Sequence, residues 1–183
     1  MRLVPRESSF LGDVVRAPAS TNMSKLVYPK NPYISNSKAA EFWLFLMRRG
    51  WNKPANLLGL ILGSQIACKI PARLFVPHPF GIVVSSESVL FDDVVLLQQV
   101  TLGARYPYGK IGQKRGEPVV RQGVYVGPGA RVLGAVTLGE YSVVGANAVV
   151  TEDVPPYSII VGHNRILGMK SLELERRILA GEI

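Results

Sequence analysis

Aliphatic residues recur at every sixth position through the second half of the chain. Consecutive members of this series are Val120, Val126, Val132, Leu138, Val144 and Val150. A small or branched residue follows each of them four places later, at Val124, Ala130, Val136, Ser142, Ala148 and Val154. This period predicts a hexapeptide repeat, in which each unit supplies one short strand and one corner, so that three units complete a triangular coil. The alternative is an ordinary β-sandwich, but strands that alternate with a period of two predict no sixfold recurrence.

The same register extends upstream and shows where the repeat is interrupted. Its earlier members are Val84, Leu90, Leu96 and Leu102, with weaker ones at Ser64, Ile70 and Val76. One interruption is a two-residue excess between Val76 and Val84, which contains His78, and the other spans residues 103–119. Because interruptions of a regular solenoid carry loops and binding surfaces, we expect functional residues in both. The second interruption is predicted to be a basic loop that projects from the prism.

Glycine follows the inward aliphatic residue at three positions of the repeat, Gly127, Gly139 and Gly145. The chain must turn a corner after each strand, and glycine takes left-handed backbone angles without strain. We therefore expect these three glycines to form the corners through their backbone angles.

Before residue 64 the apolar spacing is that of a helix, with members at Ala39, Ala40, Trp43, Leu46 and Met47. Ser37 is a reasonable N-cap and Gly50 a stop, which predicts one amphipathic helix between them. Pro54 marks the start of a second helix, whose run Leu57–Leu62 is so apolar that we expect it to be buried against the first helix or another chain. The predicted organisation is an irregular extension (1–35), a helical segment (36–63), a β-helix (64–161) with the loop 103–119, and a tail (162–183) that contains a short helix at Ser171–Ala180.

Composition limits the classes of function. Lys and Arg number 21 against 13 Asp and Glu, and the formal net charge of +8 favours an anionic partner such as a phosphorylated cofactor. No groove-reading helix or aromatic RNA platform is recognisable, so we do not expect nucleic acid as a partner. Cys68 is the single cysteine and there are two histidines, which leaves neither a disulfide framework nor a Cys/His zinc site within one chain. We expect no metal and a reducing compartment.

Two further features bear on location. The segment Met1–Phe10 carries charges of both signs and lacks the apolar stretch of a secretory signal. The most apolar run, Leu57–Leu62, is far shorter than the roughly 20 residues that cross a bilayer. We therefore expect a cytoplasmic protein without a transmembrane segment.

Several motifs together resemble those of a known family. They are His78-Pro-Phe-Gly81-Ile-Val-Val, Gln99-Val-Thr-Leu-Gly103, Val126-Gly-Pro-Gly-Ala-Arg-Val-Leu-Gly134, Val144-Gly-Ala-Asn-Ala-Val-Val150 and Asp153-Val-Pro-Pro156. Over roughly residues 64–166 the chain resembles the serine acetyltransferase branch of the hexapeptide-repeat acyltransferases. The resemblance implies an all-β main domain folded as a left-handed parallel β-helix, a handedness that the period alone does not give. It also implies a homotrimer with active sites between subunits and acetyl-CoA as the acyl donor.

The family's catalytic histidine lies three residues before a glycine, and His78 with Gly81 matches that arrangement. An alcohol needs a base within hydrogen-bonding reach as it attacks a thioester, and imidazole titrates close to working pH. The resemblance therefore implies that His78 is the general base, with a turn histidine at the bulge as the alternative. His163, the other histidine, is better explained as a turn residue after the last coil.

The resemblance also assigns residues to the acyl donor. Gly103 is implied as the backbone donor to the oxyanion, although a glycine there is also what a corner demands. The remaining implied contacts are Ala130, Gly145 and Ala146 to the pantetheine arm, and Arg165 and Lys170 to the nucleotide phosphates. Each of these cations, taken singly, fits a solvated charged surface better than a phosphate site.

The chain departs from the family where the acceptor binds. Pro77 replaces the family's Asp before the histidine, and Gly116-Glu117-Pro118 replaces Arg-His-Pro, so both implied handles on an amino acid are missing. We therefore predict an O-acetyltransferase acting on a sugar or polysaccharide hydroxyl. Glu117 would contact a sugar hydroxyl or steady His78, and Tyr106 would stack on a pyranose ring, although a solvated acid and a packing aromatic fit equally well. The alternatives are a serine O-acetyltransferase of cysteine biosynthesis and a non-catalytic β-helix scaffold.

Overall fold

The computed structural model describes residues 35–105 and 116–169, which form two α-helices and fourteen short β-strands. The helices are α1 (Lys38–Arg48) and α2 (Asn52–Ile61). The strands are β1 (Gln65–Ile66), β2 (Leu74–Phe75), β3 (Val83–Val84), β4 (Val89–Leu90), β5 (Val94–Leu96), β6 (Thr101–Gly103), β7 (Val119–Val120), β8 (Tyr125–Val126), β9 (Arg131–Leu133), β10 (Thr137–Leu138), β11 (Val143–Val144), β12 (Val149–Val150), β13 (Ser158–Val161) and β14 (Arg165–Met169).

The strands form three parallel sheets that the chain visits in turn, which makes the domain a parallel β-helix. Face 1 has the order β1-β3-β6-β9-β12, face 2 the order β4-β7-β10, and face 3 the order β2-β5-β8-β11-β13-β14. Every pairing is parallel except that of β14, which returns antiparallel on β13. In the regular coils the paired residues are one 18-residue turn apart, as in Val83 with Thr101. The predicted β-helix is confirmed, and the β-sandwich is excluded.

The inward positions of the repeat form the core. All six aliphatic residues of the downstream series, from Val120 to Val150, have no exposed surface, and Leu96 and Leu102 upstream are equally buried. Each such side chain contributes about 1.5–3 kcal/mol to stability relative to full exposure. The sixfold period therefore corresponds to three columns of inward side chains, one from each face, in which residues 18 apart are stacked.

The predicted role of the three repeat glycines is wrong. Gly127, Gly139 and Gly145 do not have positive φ angles. A Cβ at Gly127 would lie 2.8 Å from the Val144 carbonyl oxygen in the next coil, and one at Gly139 would meet the backbone at Pro156. These positions are glycine because the next coil passes too close for a side chain. Positive φ occurs three places after the inward aliphatic residue instead, at Asp93, Gln99, Gly123, Gly129, Tyr141 and Asn147.

The two helices precede the first coil. The Ser37 hydroxyl accepts a hydrogen bond from the Ala40 N–H at 3.3 Å, which confirms the predicted N-cap of α1. Helix α2 begins at Asn52 rather than at Pro54, because a proline is tolerated anywhere in the first turn, where N–H groups lack intrahelical partners. Trp43 joins the helices by donating its indole N–H to the Ala55 carbonyl at 3.1 Å.

The expected burial of α2 against α1 is only partial. Of the α2 residues, Ala55 and Gly59 are buried, whereas Leu57, Leu60 and Ile61 are 61–76% exposed in the single chain. A Cβ at Gly59 would lie 2.7 Å from the Ser64 carbonyl oxygen, so the helix meets the first coil at very close range.

Parts of the predicted organisation lie outside the described residues. These are the extension before Ser35, the middle of the loop at 106–115 and the C-terminal helix at 171–180. The start of the predicted tail is the strand β14, which extends face 3. Neither α1 nor α2 is long and apolar enough to cross a membrane, and they are the helices of the described ranges.

Candidate active site

His78 lies on the edge of the prism where face 3 meets face 1, in the passage from β2 to β3. The prolines on either side of it are buried, whereas His78 itself is exposed. Because proline fixes φ, Pro77 and Pro79 restrict the backbone that carries the imidazole. The bulge is closed by a hydrogen bond from the Phe80 N–H to the His78 carbonyl at 2.8 Å. The imidazole is therefore accessible from solvent, as a base requires.

The same edge, named here the His78 edge, continues through the later coils. Backbone hydrogen bonds connect its corners, from Gln99 N–H to Phe80, from Gly129 N–H to Gln98 and from Asn147 N–H to Pro128, all at 2.8–2.9 Å. The sequence-predicted donor residues Ala130, Gly145 and Ala146 lie at these corners. The structure thus brings them onto one edge with His78.

The three residues predicted to bind the acyl donor differ in which backbone N–H and carbonyl groups are free to bind a ligand. Ala130 is fully buried, its N–H bonds to the Gly127 carbonyl at 3.2 Å, and its carbonyl accepts from Thr101 at 3.0 Å. Gly145 is half-buried and donates its N–H to Ile160 at 2.8 Å. Ala146 is exposed and forms no hydrogen bond with any residue in the described ranges. Of the three, Ala146 has the backbone groups that are free to bind a ligand.

The predicted phosphate-binding residues fall at the C-terminal end. Arg165 opens β14, is exposed, and pairs in register with Val161 just beyond the last corner of the His78 edge. Lys170 lies outside the described residues. His163 is exposed and forms an isolated bridge with Val149, which agrees with its interpretation as a turn residue.

Gly103 and Glu117 lie on a different edge, where face 1 meets face 2, here called the loop edge. Gly103 is buried, ends β6, and accepts a hydrogen bond from the Gly134 N–H at 2.8 Å. The loop leaves the prism at Arg105, over Gly134, and returns at Gly116, over the neighbouring Ala135. Tyr106 lies outside the described residues.

The Glu117 carboxylate is anchored through one oxygen. Its Oε2 accepts hydrogen bonds from the Ser85 hydroxyl, from the Glu87 N–H at 3.0 Å and from the Ser88 hydroxyl at 3.4 Å. Ser85 and Ser88 also lie within 3.0 Å of each other through their hydroxyl oxygens. Sequence reasoning did not identify these serines, and the signal that was available is the polar run 85–88 directly after the strand residue Val84.

The thiol of Cys68 is also close enough to Glu117 to be affected by its charge. Burial raises the pKa of this thiol to about 11, and the negative charge of Glu117 contributes to the rise. The thiol is therefore protonated at neutral pH and is not a nucleophile.

The structure does not bring His78 together with Gly103 and Glu117 within one chain. The two groups lie on opposite borders of face 1, since His78 precedes β3 in its coil, whereas Gly103 ends β6 and Glu117 follows it. A site that uses both groups would need the His78 edge of one copy beside the loop edge of another.

The repeat also matches a known family model. Residues 117–152 match the family described as "Bacterial transferase hexapeptide (six repeats)". Over these residues the β-helix is similar to the hexapeptide-repeat transferases. The resemblance stated from the motifs is confirmed at this level.

Similar hexapeptide-repeat relatives are named serine acetyltransferases. The chain is 44% identical to that of Mycobacterium tuberculosis over 122 residues, which are 61% of this chain and 52% of the relative. It is 39% identical to that of Haemophilus influenzae over 124 residues, which are 61% of this chain and 44% of the relative. The solved serine acetyltransferase of Brucella abortus in complex with coenzyme A matches with a TM-score of 0.57 and 31% identity, over 73% of this chain and 55% of that one. The chain spans about half the length of the relatives it matches.

The predicted sugar or polysaccharide acceptor is wrong. Relatives 34–44% identical to the chain are named serine acetyltransferases, and the similarity covers 61–75% of the chain. The prediction relied on two missing side chains, at Pro77 and Gly116, but a missing group at one position does not exclude a group that serves the same purpose elsewhere. The proposed stacking of Tyr106 on a sugar ring is withdrawn with it.

Proposed function

We propose that the protein transfers the acetyl group of acetyl-CoA to the hydroxyl of L-serine. The observation that supports this most strongly is the 39–44% identity to serine acetyltransferases over 122–124 residues. The solved complex of a structural relative with coenzyme A supports acetyl-CoA as the acyl donor. In this proposal the domain is a left-handed β-helix, as the family resemblance implies.

The donor would bind along the His78 edge. The free backbone groups of Ala146 would meet the amide groups of the pantetheine arm, with Gly145 and Ala130 shaping the edge around it. Coenzyme A carries several phosphate charges, and the excess of basic residues favours their approach. Arg165, exposed at the end of this edge, and Lys170 are the candidate phosphate ligands.

The chemistry needs one base and one oxyanion donor. His78 would take the proton of the serine hydroxyl as the hydroxyl oxygen attacks the thioester carbonyl carbon. The tetrahedral intermediate would then collapse with cleavage of the carbon–sulfur bond, and the imidazolium would return the proton to the departing thiolate, which leaves free coenzyme A and O-acetylserine. Gly103 is the candidate backbone donor to the oxyanion.

Two edges contribute to this chemistry, so the proposal includes a homotrimer with active sites between subunits. In a ring of three prisms, the His78 edge of one copy would lie beside the loop edge of the next, and each interface would hold one complete site. A monomer would present the two halves on separate edges and would be inactive.

The test is thiol release from acetyl-CoA with L-serine as acceptor. The His78→Ala variant should lower turnover about a hundred- to ten-thousand-fold while acetyl-CoA affinity is kept, because only the proton acceptor is removed. His163→Ala is the matched control, since His163 is the other exposed imidazole of the chain: its kcat should equal that of the wild type, and any effect should be confined to the KM for acetyl-CoA, because His163 lies at the far end of the same edge. A wild-type protein that binds acetyl-CoA but releases no thiol with serine would contradict the proposed function.

A further inference from the structure

The unusual feature of Glu117 is that, in the described part of the chain, every hydrogen bond to its carboxylate is made to one oxygen. Three donors from the corner 85–88 converge on Oε2, whereas Oε1 forms no hydrogen bond with any group in the described part of the chain. A carboxylate has about four lone-pair positions, so the side chain is firmly held and still has unused acceptor capacity.

Among the residues that the structure describes, no basic side chain compensates the charge of Glu117. Within residues 35–105 and 116–169, ion pairs are formed by Arg73 with Asp92 and Asp93, on another edge, and no basic side chain pairs with Glu117. The donors that anchor it are neutral hydroxyls and a backbone N–H. A half-buried carboxylate that is held in position and not neutralised can bind a cation through a charge-assisted hydrogen bond.

The His78 edge has no carboxylate that could bind a cation. Its corners, at residues 77–81, 97–100, 127–130, 145–148 and 161–164, contain no Asp or Glu. The residues beside the imidazole are Pro77 and Pro79, which have neither an N–H nor a polar side chain. For an acceptor that carries an ammonium group near its reacting hydroxyl, the loop edge of the neighbouring copy offers in Glu117 the carboxylate that these corners lack.

We propose that Glu117 binds the α-ammonium group of the acceptor through Oε1. This inference rests on the proposed function, in which serine lies between the His78 edge of one copy and the loop edge of the next. The ammonium donates a charge-assisted hydrogen bond to the free oxygen, while Ser85, Ser88 and the Glu87 N–H hold the carboxylate in place. The acceptor's own carboxylate lies away from Glu117, because two like charges at short range repel.

The inference predicts which acceptors the site distinguishes. L-Serine and 3-hydroxypropanoate share the hydroxyl and the carboxylate and differ in the ammonium group. The wild-type protein should prefer serine, and Glu117→Gln should reduce that preference about 10- to 100-fold, since it removes the charge but keeps the length and an acceptor oxygen. The change should occur in the KM for serine, with the KM for acetyl-CoA unchanged.

Glu87→Gln is the matched control. It removes a carboxylate from the same corner, but the Glu87 side chain is exposed and only its backbone N–H takes part in the anchoring. Its preference for serine should equal that of the wild type. Glu117→Asp, which keeps the charge, should retain more of the preference than Glu117→Gln and guards against a general effect on folding.

Each other outcome is decisive. An equal loss of kcat/KM for both acceptors in Glu117→Gln would show a structural role and overturn the inference. A shifted pH profile of kcat with an unchanged KM for serine would show that Glu117 acts on the imidazole and would overturn it as well. Both of these results leave the proposed function standing, whereas a wild-type protein without serine-dependent thiol release would remove the function and the inference together.

Discussion

Replacing Gly127 with alanine is expected to force two coils of the β-helix apart. Its φ angle is not positive, so backbone strain does not enter, but a Cβ would lie 2.8 Å from the Val144 carbonyl oxygen and 2.9 Å from the Ala146 nitrogen. These atoms belong to backbone and cannot rotate away. The Gly127 N–H also donates to the same Val144 carbonyl at 2.8 Å, so a shift that relieves the clash lengthens this bond.

The magnitude follows from three contributions. Overpacking costs about 1–3 kcal/mol, and a weakened hydrogen bond costs about 0.5–1.5 kcal/mol more. Alanine reduces the freedom of the unfolded chain, which offsets about 0.4–1 kcal/mol. The free energy of unfolding should therefore fall by about 2 kcal/mol.

The assay is urea unfolding followed by far-UV circular dichroism at one protein concentration, because association changes apparent stability. Gly63→Ala is the control: Gly63 has a φ of +61° and nothing within 4 Å of its Cβ position, so only the left-handed backbone is penalised, at about 1–2 kcal/mol. If Gly127→Ala were as stable as the wild type, close approach of the coils would not be the reason for the glycine.

Two further predictions concern titratable groups. The Cys68 thiol should resist iodoacetamide near neutral pH in the folded protein and react fully in urea, because burial raises its pKa to about 11; rapid labelling of the folded protein, measured by mass spectrometry, would contradict this. The hydrogen bond from Arg73 holds the pKa of Asp93 below its ordinary value, so the stabilisation is present above the unfolded carboxyl pKa and is lost as the pH falls through the folded one. The gap in Tm between the wild type and Asp93→Asn should therefore narrow in acid, and a gap independent of pH would refute the linkage.

The core could be predicted because its signal is local and repeated. Each inward residue, such as Val132 or Leu138, occupies the same place in its hexad, so chance agreement is small and no knowledge of distant contacts is needed. The N-cap at Ser37 was predictable for the same reason, since the contact spans three residues. The start of α2 was not, because Pro54 fits several positions of a first turn equally well.

The reasons for the repeat glycines could not be read from the sequence. Gly127 is glycine because of Val144 and Ala146 in the next coil, and such a distance depends on how the coils stack. The rule that glycine takes left-handed backbone angles selected the three repeat glycines correctly, but the reason for glycine there is the close approach of the next coil.

The site was predictable in part. The bulge at His78 followed from an interruption of the repeat and the corners at Gly145 and Ala146 from motifs, while the roles of these residues stay predictions. The anchoring of Glu117 did not, because Ser85 lies 32 positions away on the other side of the loop. The error about the acceptor came from counting missing side chains without knowing which remaining groups the fold places at the same edge.

The loop leaves the β-helix at Arg105 and re-enters at Gly116, and its two ends lie over the adjacent residues Gly134 and Ala135. The chain therefore re-enters the β-helix at the corner where it left. The pairing of the later strands does not depend on the number of residues in the loop. The number of residues between Arg105 and Gly116 can therefore change without altering the register of the strands that follow.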